Sequence, residues 1–132
     1  MGASLTAAFG YYQLTKRQQL GQADAQVSYP YFHCAAKNSP KFKWRYKGGE
    51  DAYLISDNKR FIGVADGVGG WNSYEVCSGK LSKFLCKRLA ELYGADTSRD
   101  LKSIFYEGVH DAIKVTEGGS TTMVLAKLEP EI

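Results

Sequence analysis

The 132-residue chain has no apolar run approaching the roughly 20 residues that a bilayer-spanning helix requires, so no transmembrane segment is expected. It has no CxxC pair, and its three cysteines, Cys34, Cys77 and Cys86, are an odd number. That count argues against a disulfide framework and makes a reducing compartment the default. With His33 and His110 as the only imidazoles, a zinc site of the usual Cys/His spacing is not expected either. Extremes of composition are missing: 44% apolar and 23% charged residues exclude both a disordered chain and a coiled coil. The length suits one ordinary domain or a piece of a larger one.

Acids are scarce at the start. Residues 1 to 47 carry seven Lys or Arg against one acid, whereas residues 48 to 132 carry ten against thirteen. The first 23 residues contain no acid, and they place Leu5, Ala8, Phe9 and Tyr12 at helical spacing beside Lys16 and Arg17. This is the composition of an amphipathic targeting leader, and a plain N-terminal arm fits it equally. Met1, Gly2 and Thr6 also match the myristoylation pattern, which is frequent by chance. Residues 1 to 26 are thus set apart as arm or leader, and the folded domain is expected from 27 to 132.

What is present is organised around FIGVADGVGGW, Phe61 to Trp71. Phe61 to Ala65 is a short apolar run closed by turn residues, which predicts a strand buried on both faces. Asp66 stands where that strand emerges. An isolated Asp-Gly is most often a tight turn, so the context has to decide whether this acid does more. Upstream, Tyr53 to Ile55 reads as a strand and SDNKR, 56 to 60, as a turn, predicting an antiparallel hairpin of 50–56 with 60–66. Such a hairpin brings Glu50 and Asp51 beside Asp66 and Gly67. Like charges that close are unfavourable unless a cation neutralises them or one takes up a proton, so the arrangement points to a hard-metal site with oxygen ligands.

Around this centre, VSYPYFHCAA at 27–36 predicts a strand that Pro30 confines to an edge or to its start. The loop KNSPKFKWRYKGG mixes five basic residues with three aromatics, but it is short and has no second basic face. A solvated loop ending in a Gly-Gly turn explains it, and no nucleic-acid partner is expected. Val76, Leu81, Phe84, Leu85, Leu89 and Leu92 recur at helical spacing over about 18 residues, stopped by Gly94. On that helix Cys77 and Cys86 would face opposite sides. A second helix is expected after Thr97, whose spacing to Asp100 suggests a capping box, and it continues to Ile113. Last comes STTMVLAKL, 120–128, a β-type run. A nucleotide-binding loop at Gly67 is the least favoured reading, because its fingerprint needs glycine where Asn72 stands.

Three segments together, GEDA at 49–52, VADGVGGW at 64–71 and GGSTTMVLA at 118–126, resemble the N-terminal half of the metal-dependent serine/threonine protein phosphatases of the protein phosphatase 2C family. The form DGVGGW, with valine where most relatives have histidine, is nearest the mitochondrial and plastid branch. The resemblance implies an α+β chain, half of an α/β/β/α sandwich built from antiparallel strands and a helix pair. It implies that Asp66 bridges two Mn²⁺ or Mg²⁺ ions and activates a water, with a further ligand from the Gly67 carbonyl. Glu50 and Asp51 would hold metal-bound waters, and a basic residue before them, Lys47 or Arg45, would receive the phosphate. A dinuclear site of this kind lowers the pKa of a bound water for in-line attack on a phosphoester. The family's later Gly-Asp-Ser segment and further acids do not follow here, so one ion or none is expected. A half sandwich also leaves an apolar sheet face open. The resulting expectation is an inactive, truncated domain serving as an interaction subunit, its sheet covered by other protein chains, in mitochondria or otherwise the cytoplasm. The alternative is a Mn²⁺/Mg²⁺-dependent phosphatase acting on phosphoproteins, completed by another chain or a missing half.

Overall fold

The computed structural model describes residues 11–12, 29–41 and 48–129. Strands β1 (Tyr11–Tyr12) and β2 (Phe32–His33) form a short antiparallel ribbon. The main sheet has three antiparallel strands, β3 (Ala52–Ile55), β4 (Phe61–Gly67) and β5 (Thr121–Lys127), with β4 in the centre. Between β4 and β5 lie a 3-10 segment (Gly69–Tyr74) and the helices α1 (Ser78–Ala95) and α2 (Leu101–Val115). Of the strand expected over 27–36, the described part pairs only at Phe32 and His33.

The hairpin forms as the sequence predicts. Ser56 turns the chain: its hydroxyl accepts from the amides of Arg60 and Phe61, and its amide bonds to the Phe61 carbonyl. This fixes the register at Ala52 opposite Ala65, with Ile55 opposite Ile62. β5 then pairs along the whole of β4, from Phe61 opposite Lys127 to Gly67 opposite Thr121.

α1 touches all three strands, and α2 packs along α1. Leu85, Cys86, Leu89, Leu92 and Tyr93 of α1 meet Leu54, Phe61 and Ala65 of the sheet, while Ile104 and Ala112 close the core from α2. Three expectations shift. First, β4 is not buried on both faces: Phe61, Gly63 and Ala65 are buried, whereas Ile62 and Val64 are only half-buried. Helices cover one face of the sheet, and among the described residues no layer covers the other. Second, α1 begins at Ser78 rather than at Val76, because Val76 and Glu75 close the 3-10 segment onto Trp71 and Asn72. Cys77 therefore precedes the helix, and Cys86 is buried in the core. Third, Asp100 itself caps α2, its carboxylate accepting from the Ser103 amide at 2.9 Å, while Asp96 binds Ser98 in the turn before it. Asp satisfies an orphan helix donor better than a Thr three residues away from the first turn.

Tyr53, Ile62, Val64, Val124 and Ala126 lie on the open face, lining with Cys34 and Ala36 a shallow apolar cavity of about 300 Å³. Val124 is 69% exposed and Tyr53 47%. Side chains alternate along a strand, so Asp66 shares this face with Ile62 and Val64, and Asp51 shares it with Tyr53.

Candidate metal centre

Four segments meet at one end of the sheet: the approach to β3, the end of β4, the first turn of α1 and the start of β5. Residues 49–50 are held between β4 and α1. A Cβ on Gly67 would stand 2.4 Å from the Glu50 carbonyl oxygen, and one on Gly79 would stand 2.4 Å from that of Gly49. Only glycine admits backbone this close. Lys83 Nζ donates to the Gly49 carbonyl at 3.1 Å, and Asn38 Nδ2 donates to that of Asp51 at 2.9 Å.

The other side is fixed by β5. Val68 N donates to Ser120 O at 2.9 Å, the Trp71 indole donates to Ser120 Oγ at 2.8 Å, and the Thr121 hydroxyl donates to Asp66 O at 2.9 Å. From α1, Ser78 Oγ donates to Val68 O, and Ser82 Oγ lies 3.0 Å from Thr121 Oγ1. Asp66-Gly67 is thus the paired end of a strand, not a two-residue turn.

The register begins with Ala52 opposite Ala65, so the hairpin brings Asp51, the residue just before β3, beside Asp66. Burial, then the charge and hydrogen-bonding capacity of the Asp66 carboxyl, then the Glu50 charge, push the Asp51 carboxyl above the usual range; the Gly67 amide opposes the shift by donating to it. Two carboxylates this close repel each other, and a bound cation would relieve that repulsion. Glu50 behaves differently: its Oε1 accepts from Asn72 Nδ2, which also donates to the Gly69 carbonyl at 2.9 Å. A Cβ on Gly69 would stand 3.0 Å from Glu50 Oε2, so the carboxylate lies against the 3-10 segment. Among the described residues no three His, Cys, Asp or Glu side chains are grouped around one ion position. Asp51 and Asp66 with nearby carbonyls fit part of the oxygen shell of a hard cation, which takes about six donors or more. Arg45 and Lys47 lie outside the described residues. Asn72, Asn38 and the hydroxyls of Ser78, Ser82 and Thr121 escaped the sequence reading, since no periodicity or spacing marks them.

No family model matches the chain. It is 34% identical over 89 residues to the mitochondrial protein phosphatase 2C homolog 7 of Saccharomyces cerevisiae, covering 58% of this chain and 26% of that protein. It is 36% identical over 84 residues to the probable protein phosphatase 2C 26 of Arabidopsis thaliana, covering 63% and 28%. With the PTC7 homolog fig of Drosophila ananassae it shares 34% identity over 95 residues, covering 67% and 29%. The crystal structure of the photosystem II phosphatase PBCP superposes with a TM-score of 0.53 at 26% identity, over 69% of this chain and 36% of that one. The fold and the relatives point to a partial α+β domain of the protein phosphatase 2C type. The curated relatives and the structural neighbour support a protein phosphatase 2C family with only part of the domain present, and the chain spans just over a quarter of the length of these three curated relatives.

Proposed function

We propose that this chain is one lobe of a protein phosphatase 2C domain that is inactive alone and serves as an interaction subunit, its open sheet face covered by another polypeptide. The observation that carries this reading is that the carboxylate pair and the apolar cavity lie on the same uncovered face. A polypeptide layer docking there would bury Val124, Tyr53 and Val64 and would close over Asp51 and Asp66. Burial of this kind supplies the main driving force for association.

Asp66 and Asp51 would hold Mn²⁺ or Mg²⁺ here, with Gly67 positioning Asp51 through its amide. When bound, such an ion supplies an acidified water and neutralises charge on a phosphoryl group. Asp66 and Asp51 alone leave most of its shell to be filled from outside the described residues, so the purified chain should not turn over a phosphopeptide. The test is hydrolysis of a phosphothreonine peptide with Mn²⁺ by the isolated chain: a rate that Asp66→Asn abolishes would overturn the inactive reading. It would favour the second one, a phosphatase completed by another chain or segment, which the closeness of the Asp51 and Asp66 carboxylates supports. We place the protein in mitochondria, supported by the acid-free N-terminus and the yeast relative named mitochondrial. A fluorescent fusion at the C-terminus checks this directly.

A further inference from the structure

The acidic end of the sheet carries three carboxylates, Asp51, Asp66 and Glu50, and Asp51 interacts more strongly with Asp66 than with Glu50. Asn72 accounts for the third. Its amide nitrogen donates to Glu50 Oε1 and to the Gly69 carbonyl, which anchors the side chain at both ends of the same turn. Gly69 gives Glu50 the space to lie there, since a Cβ at that position would stand 3.0 and 3.1 Å from its two carboxylate oxygens. The 3-10 segment is in turn held by the Trp71 indole on Ser120 and by Ser78 on the Val68 carbonyl, so the amide has little freedom to follow Glu50 elsewhere.

We propose that Asn72 is a positioning residue that captures the Glu50 carboxylate and holds it out of the Asp51–Asp66 pair, setting the affinity of this end of the sheet for divalent cations. The proposal rests on the metal-centre reading above and names its regulation. Its physical basis is charge count: cation affinity in oxygen sites rises with the number of carboxylates free to ligate. A carboxylate already accepting an amide hydrogen bond must give it up before it can turn to an ion.

The test is Mn²⁺ binding to the whole chain, followed by loss of the free-ion paramagnetic resonance signal, with circular dichroism melts to confirm folding. Asn72→Ala should tighten Mn²⁺ binding by about tenfold, as Glu50 becomes free to join the pair. Glu50→Gln in the native background should shift the affinity by less than about threefold, because that carboxylate is not a ligand there. In the double variant the gain should vanish. A gain that survives Glu50→Gln, or no gain from Asn72→Ala, overturns the proposal. Should Asn72→Ala not fold, Asn72→Ser, too short to reach Glu50 yet able to donate to Gly69, carries the same expectation. Asp66→Asn separates the two levels. If it abolishes Mn²⁺ binding while Asn72→Ala changes nothing, only the role of Asn72 falls; if it leaves binding intact, or if no variant binds Mn²⁺, the metal centre falls with it.

Discussion

Asp51, the residue just before β3, lies beside Asp66 at the end of β4, and burial together with the Asp66 charge raises the Asp51 carboxyl above its ordinary range. The hairpin tolerates this pair at a cost to stability. In the presence of a chelator, Asp66→Asn removes one of two like charges, so at neutral pH the variant should be more stable than the native chain by a few tenths to about 1 kcal/mol, the low end reflecting solvent screening of an exposed acid. Thermal melts at pH 7 with and without Mn²⁺ check it. The native chain should gain stability from the ion and the variant should not; a variant less stable than the native chain would mean that the pair is structural.

Where backbone meets backbone the fold should be brittle. Gly79→Ala places a methyl 2.4 Å from the Gly49 carbonyl oxygen, and neither partner is a side chain that can swing away. Even after the better helix propensity of alanine, a net loss of about 1–3 kcal/mol is expected. Gly108→Ala is the contrast, because its methyl would meet the flexible end of Leu89 at 2.5 Å. Urea denaturation of both should show the larger drop in midpoint for Gly79→Ala; the reverse order would mean that α1 can slide on residues 49–50.

The parts of the molecule legible in the sequence were those fixed by local pattern. The run Ala52–Ile55, the turn at Ser56–Arg60 and the run from Phe61 give the hairpin, and the hairpin alone places Asp51 beside Asp66. Helical spacing through Leu85, Leu89 and Leu92 gives α1 its buried face. The run FIGVA, however, reads the same whether Ile62 and Val64 are covered or open, because covering depends on a second layer and not on the strand. Nor does any spacing rule reveal that Asn72 reaches Glu50, a contact made by the turn geometry of a 3-10 segment. The capping of α2 by Asp100 rather than Thr97 was hidden for a related reason: two acceptors stood within one turn, and the loop path selected between them.

The uncovered face yields a test of its own. Val124 is 69% exposed on β5, and Val124→Lys removes no core contact, so the unfolding free energy should change by no more than about 0.5 kcal/mol. Association should respond strongly, since a charge in the centre of an apolar docking surface must be desolvated unpaired. Light scattering on a sizing column should find the native chain heavier than a monomer and the variant monomeric. If both are monomers at all workable concentrations, the face is stable in water and the covering layer is unnecessary for solubility.

Cys86 offers the sign-defined pH dependence. Burial among Leu85, Leu89 and the sheet pushes its thiol from near 9 up to about 12. Between those values the folded chain keeps a proton that the unfolded chain releases, so this group makes stability fall as pH rises above 9. The loss approaches about 1.4 kcal/mol per pH unit. Comparing urea midpoints at pH 8 and pH 10, the native chain should lose about 1.4 kcal/mol more than Cys86→Ala, even though the variant starts lower because of the cavity it creates. The same burial keeps the thiol from reacting. Ellman's reagent should label the half-buried Cys34 and Cys77 in the folded chain and reach Cys86 only in denaturant. Rapid labelling of all three, with equal alkaline slopes for native and variant chains, would show that the helix layer opens over Cys86 far more readily than its packing against Phe61 and Leu54 implies.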